Sequence, residues 1–112
     1  MATGRFTTPN ASGSIQLGTG NTLLYTVPTG YYSVFNVSLT NTGSTAVTIQ
    51  LALSATSTPG TSDFIEYGTV IAPKGVFERT GLVGQPNLNV VALSSIASQV
   101  NAIVYGIETS TS

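Results

Sequence analysis

Ala46-Val-Thr-Ile-Gln-Leu-Ala-Leu-Ser54 sets Val47, Ile49, Leu51 and Leu53 on alternate positions, with Ala46, Thr48, Gln50 and Ala52 between them. A period of two marks a strand with one buried face, because successive side chains of an extended chain point to opposite sides. The run Tyr31–Thr40 repeats the pattern, with Phe35, Val37 and Leu39 on one side and Asn36, Ser38 and Thr40 on the other. Asn41-Thr-Gly-Ser-Thr lies between the two runs and reads as a hairpin turn whose glycine, Gly43, is able to take positive φ. Further out, Val27-Pro-Thr-Gly and Ala72-Pro-Lys-Gly place Pro early in a turn and Gly at its exit. Strands are expected near 14–18, 22–27, 31–40, 46–54, 63–71, 76–83, 88–94 and 100–108, with 55–62 as the longest internal loop. No stretch shows a sustained helical repeat. The chain therefore reads as an all-β protein, an antiparallel β-sandwich of about eight short strands, jelly-roll or immunoglobulin-like.

Residues 1–14 are rich in Thr, Gly, Ser, Asn and Pro around a lone Phe6, and read as an N-terminal extended arm. Residues 15–108 form the sandwich and 109–112 a short tail. The last strand, Val100-Asn-Ala-Ile-Val-Tyr-Gly-Ile-Glu108, is apolar on both sides, which fits either a central strand covered by its neighbours or a face buried against another subunit. Gly106 permits close approach of another backbone. Tyr31 and Tyr32 are adjacent, so one of them faces outward. If Pro73 and Lys74 turn a local hairpin, Thr69 faces Glu78 and Gly68 faces Arg79, and Glu66 lies diagonal to Arg79 as an ion pair. That register sets Glu78 on the side of Ile65, Tyr67 and Ile71, so either a bulge intervenes or Glu78 is an inward polar group with a partner. Arg5, Phe6, Tyr31, Tyr32, Glu78, Val104 and Gly106 are accordingly the candidate interface residues.

The 112 residues include three basic and four acidic side chains, and charged residues make up 6% of the chain against about 25% in ordinary domains. Three scattered cations form no basic patch, which argues against nucleic-acid binding. His and Cys are absent, removing the His-dependent triads, thiol nucleophiles, the usual zinc, copper and haem ligation, and disulfides. No apolar run approaches the ~20 residues of a membrane helix, and the start lacks a basic segment followed by an apolar one. Synthesis in a cytoplasm, with no membrane partner and no cofactor, is the expectation.

Asp63, Glu66 and Glu78 are the only acidic grouping. Alternation turns Asp63 and Glu66 to opposite sides, which suits a salt bridge or solvated edge better than a calcium site or a catalytic pair. Lys74 sits at a turn tip, where solvation keeps it an ordinary cation. The glycines punctuate turns and accompany no strand-to-helix step that would cradle phosphate. The tyrosines and phenylalanines suit core or subunit contact, with a platform for a neutral glycan as the sharper alternative. No residue is assigned a catalytic or metal-binding role.

Taken together, Leu24-Tyr-Thr-Val-Pro-Thr-Gly-Tyr-Tyr-Ser-Val-Phe-Asn-Val37, Val47–Ser54 and Asp63-Phe-Ile-Glu-Tyr-Gly-Thr-Val-Ile-Ala-Pro-Lys-Gly-Val-Phe-Glu-Arg-Thr-Gly-Leu82 resemble small structural proteins of tailed bacteriophages. The likeness spans roughly residues 20–108 and consists of turn and strand patterns that bring no catalytic residue. It implies a compact β-sandwich carried on the virion as head decoration, neck, or tail and fibre component, commonly a homotrimer. The function expected from it is non-enzymatic: a decoration or cement protein that stabilises the phage head by binding the major capsid protein or other virion proteins. In that role the arm around Arg5 and Phe6 grips neighbours. Neck, baseplate or fibre placement and a glycan-binding module for host attachment are the alternatives.

Overall fold

The computed structural model describes residues 2–5 and 14–111. Among them are nine strands: β1 (Ala2–Arg5), β2 (Ser14–Gln16), β3 (Thr22–Thr26), β4 (Tyr31–Asn41), β5 (Val47–Ser54), β6 (Phe64–Ile71), β7 (Val76–Gly84), β8 (Asn89–Ser94) and β9 (Val100–Ser110). One 3₁₀ turn, Thr61–Asp63, interrupts the long loop before β6. Sheet I runs β1-β9-β4-β7, with β2 beside β1 on the same edge of β9; sheet II runs β3-β8-β5-β6. All pairings are antiparallel.

The pairs β5–β6, β4–β7, β3–β8 and β2–β9 nest outward from one another, though only β5–β6 is a consecutive pair. Such nesting describes a long two-stranded ribbon, and wrapping it sets β4 against β9 and β5 against β8 to close two sheets. This is the jelly-roll form of the sandwich, since successive strands from β2 to β5 alternate between sheets.

Two expected hairpins are thereby corrected. β4 and β5 lie in different sheets, so Asn41–Thr45 carries the chain over an end of the sandwich. Gly43 does not take positive φ. A Cβ there would come within 2.1 Å of Gln99 Cδ, so a larger residue would push the Gln99 side chain away from Asn41 Oδ1 and Thr45 O. β6 and β7 also lie in different sheets, and Glu78 pairs in register with Ser38 of β4, not with Thr69. Both proline turns are present: Tyr31 N–H donates to Pro28 O at 3.1 Å and Gly75 N–H to Ala72 O at 2.8 Å.

Alternation builds the core. Odd positions from Ser33 to Asn41 in β4, and Val100, Ala102, Val104 and Glu108 in β9, turn inward from sheet I. Val47, Ile49 and Leu51 of β5 and Val90 and Ala92 of β8 face them from sheet II. Tyr25 meets Phe35 edge-on, ring centroids 5.8 Å apart. Burying each large side chain contributes roughly 1.5–3 kcal/mol. At one end of the sandwich the buried Asn41 amide donates to Thr45 O (2.9 Å) and Ile71 O (3.1 Å), while its oxygen accepts from Gly43 N–H and Gln99 Nε2, both at 3.0 Å. One side chain thus ties three loops together and satisfies backbone groups that burial would otherwise leave unpaired.

Candidate functional site

Each of the six charged side chains from Asp63 to Glu108 has a local partner. Arg79 on β7 pairs with Glu66 on β6, joining the free edges of the two sheets; Glu66 also accepts from Thr69 Oγ1 at 2.6 Å. The expected ion pair is therefore present, but it bridges the sandwich and does not cross a hairpin. Lys74 Nζ donates to Thr42 O at 2.8 Å, and Asp63 accepts from Gly60 N–H at 2.8 Å. Glu78 is exposed and accepts from Tyr105 Oη at 3.0 Å, reaching across β4 on the outer face of sheet I. That hydrogen bond, foremost, raises the Tyr105 phenol above its ordinary value, because only the neutral phenol can donate to the carboxylate.

Glu108 is the one buried carboxylate among these residues. It accepts from Tyr25 Oη at 2.5 Å, linking β9 to β3 through the core. Burial first, and the Glu108 hydrogen bond second, push the Tyr25 phenol well up. Ser33 Oγ lies near enough to oppose that shift but outside hydrogen-bonding geometry. Glu66, Glu78 and Glu108 thus occupy separate places, each engaged with a different donor. No group of three or more His, Cys, Asp or Glu side chains converges on a metal position among the described residues.

The two outer faces hold what remains. On sheet I the register aligns Val83, Val34 and Ile107 in one row across β7, β4 and β9, with Thr3 of β1 next in line. Val83 is 64% exposed, and Val34 and Ile107 are each 46% exposed. Tyr32 and Val76 stand exposed on the same face, and Ile103 and Tyr105 are half-buried there. On sheet II the comparable row, Leu23, Val91, Ala52 and Phe64, is closed: Val91 and Ala52 have no exposed surface and Leu23 and Phe64 are half-buried. Its exposed apolar residues, Tyr67 and Val70, both sit on edge strand β6, Tyr67 edge-on to Phe64 at 5.1 Å and opposite Gln50.

The candidate interface residues fall in four settings. Tyr32 and Glu78 lie on the outer face of sheet I, and the Arg5 backbone pairs with Tyr105 at its edge. Tyr31 turns inward and packs against the core, and Val104 is buried within it. Gly106 faces its own sheet: a Cβ there would come within 2.1 Å of Val34 O, so the close approach is between β9 and β4. Phe6 lies outside the described residues. Ile107 belongs to the second apolar side of the last strand, already read as a possible subunit contact; Val34 and Val83 were not singled out by sequence, their signal being an apolar residue at the polar parity of a strand, visible at Val34 beside Asn36 and Ser38.

No described helix is long and apolar enough to cross a membrane. Comparison with protein-family models, curated proteins and solved structures finds no match to the chain.

Proposed function

We propose that the chain is a non-enzymatic structural subunit of a tailed-phage virion, made in the host cytoplasm, that self-associates and cements the assembled capsid. The observation that carries this reading is the outer face of sheet I. Exposed apolar residues normally occur singly on a soluble surface, and a row spanning three adjacent strands marks a contact surface. The turn and strand motifs that resemble phage structural proteins supply the virion setting, since a jelly roll by itself hosts many functions. The mechanism is added contact area. A subunit that binds assembled capsid protein and not dispersed capsid protein stabilises the shell by mass action, by about 2.7 kcal/mol per site at a free concentration of 100 times its Kd.

Quantitative mass spectrometry of purified particles from a phage encoding the chain tests this. A copy number that scales with the capsid lattice is expected. A small fixed number moves the protein to the neck, baseplate or tail fibre, and absence from the particle removes the virion role.

A second reading, attachment to a neutral host glycan, draws on Tyr67, an exposed aromatic ring with the Gln50 amide opposite it. A glycan array discriminates: binding lost in Tyr67→Ala supports it, and no binding to any sugar ends it.

A further inference from the structure

We propose that Arg79 and Glu66 form a latch that bars β6, a long free edge of the sandwich, from pairing strand to strand with β6 of a second copy. The latch goes beyond the virion reading: it concerns a contact the chain must avoid wherever it acts.

The need for it lies in the edges. An edge strand presents a row of unpaired N–H and C=O groups, a template for pairing with another chain. Sheet I ends in β1 and β2 on one side and in β7 on the other, and sheet II ends in β3 and β6. β1, β2 and β3 have only four, three and five residues, and such brevity is itself a protection. β6 and β7 run eight and nine residues, and β6 carries exposed Tyr67 and Val70, side chains that favour a sheet.

Three features converge on these two long edges. Five of the chain's seven charged residues, Asp63, Glu66, Lys74, Glu78 and Arg79, fall between positions 63 and 79, on β6, β7 and the segments beside them. Charge serving solubility alone would be scattered, whereas charge on edge strands discourages pairing. Both strands are also bulged. Ile65 and Gly68 are passed over in the register with β5, and Thr80 and Gly81 together oppose Asn36 of β4, with Gly68 at φ +99 and Gly81 at φ +71. Third, Arg79 reaches from sheet I to the edge of sheet II, where its guanidinium donates to the Glu66 carboxylate and to Ile65 O at 3.5 Å. Thr69 Oγ1 holds the same carboxylate at 2.6 Å.

A strand added to β6 would have to displace the guanidinium from a main-chain acceptor and enclose the ion pair. The two side chains are 39% and 21% exposed, so water still solvates them. Removing that water costs several times what each new main-chain hydrogen bond returns. A partly exposed ion pair contributes little to stability, so loss of the latch should alter association and leave the fold intact.

Glu66→Gln with Arg79→Gln removes both charges and keeps the net charge. Sedimentation velocity should show growth past the wild-type particle, at concentrations at least about 10-fold lower than any at which wild type grows. Circular dichroism should be kept and the melting temperature should move by less than about 5 °C. Hydrogen exchange should find new protection of Phe64–Ile71 main-chain amides in the larger particles. Lys74→Gln with Glu78→Gln removes the same charges from the same segment and should leave the particle at wild-type size. If the latch variant loses its circular dichroism, Arg79→Gln alone replaces it and should grow in the same way. A folded latch variant of wild-type size, growth without protection in β6, or equal growth in the Lys74→Gln, Glu78→Gln control overturns the inference.

Discussion

The two outer faces of the sandwich carry similar amounts of apolar residue and dispose of it differently. On sheet II the row runs large, small, small, large: Leu23 and Phe64 flank Val91 and Ala52, and the two central residues are fully enclosed. On sheet I the row Val83, Val34, Ile107 has no such size contrast, and all three remain exposed. Side chains of similar size in neighbouring strands shelter one another little, so their apolar area stays in water until another surface covers it. The contrast separates an apolar outer face that serves the fold from one left available for contact.

The largest effect should come from making the same change on both faces. Val91→Lys introduces a charge at a position with no exposed surface and should cost more than about 3 kcal/mol of stability. Val34→Lys places it on a side chain already half in water and should cost about 1 kcal/mol or less, measured by urea denaturation under conditions where both proteins are single chains. Equal costs would break the distinction between the faces.

How much of this was readable beforehand follows from the range of each signal. Strand positions were legible because alternation and proline turns are local: the expected 31–40 and 46–54 became Tyr31–Asn41 and Val47–Ser54. β1 was missed because Ala-Thr-Gly-Arg carries no apolar alternation and its pairing with β9 depends on a partner about a hundred residues away. Strand pairing was misread at both expected hairpins because adjacency in sequence was taken for adjacency in the sheet, and a wrapped ribbon keeps it only at β5–β6. Glu66 and Arg79 found each other anyway, since β6 and β7 end as facing edges of opposite sheets. Rows of side chains across strands depend on register, so the two apolar sides of the last strand were legible but their alignment with Val34 and Val83 was not.

The next largest effect concerns how the sheet I row is held in line. Gly106 takes φ +155 and lies against the β4 backbone, where an added Cβ would meet Val34 O at 2.1 Å and Phe35 Cα at 2.7 Å. These are main-chain atoms of a central strand and cannot swing aside. Gly106→Ala should therefore cost about 2–3 kcal/mol in thermal or urea unfolding and displace Ile107 from beside Val34. Gly30, in an exposed turn with open space around its Cβ position, should lose less on the same change, its cost coming only from φ +82. If Gly106→Ala unfolds like wild type, the close contact between β9 and β4 does not set the row.

The smallest effect is spectroscopic and belongs to sheet I alone. The Tyr105 phenol donates to Glu78, which favours the neutral phenol and raises its ionisation above the ordinary 10.0. Because the folded value is the higher one, this contribution is present in full below pH 10 and fades as pH rises through the folded value. Glu78→Gln removes the negative acceptor and should return the Tyr105 step toward 10.0 in an absorbance titration of the phenolate, with Tyr105→Phe identifying which step is lost. If copies pair through this face, covering it should also disfavour the phenolate. The wild-type step should then lie higher in the associated protein than in a Val34→Lys, Ile107→Lys variant, while Glu78→Gln still lowers it in both. A Tyr105 step that does not respond to Glu78→Gln would remove the hydrogen bond across β4, and one that responds equally in paired and unpaired protein would place Tyr105 outside the covered area.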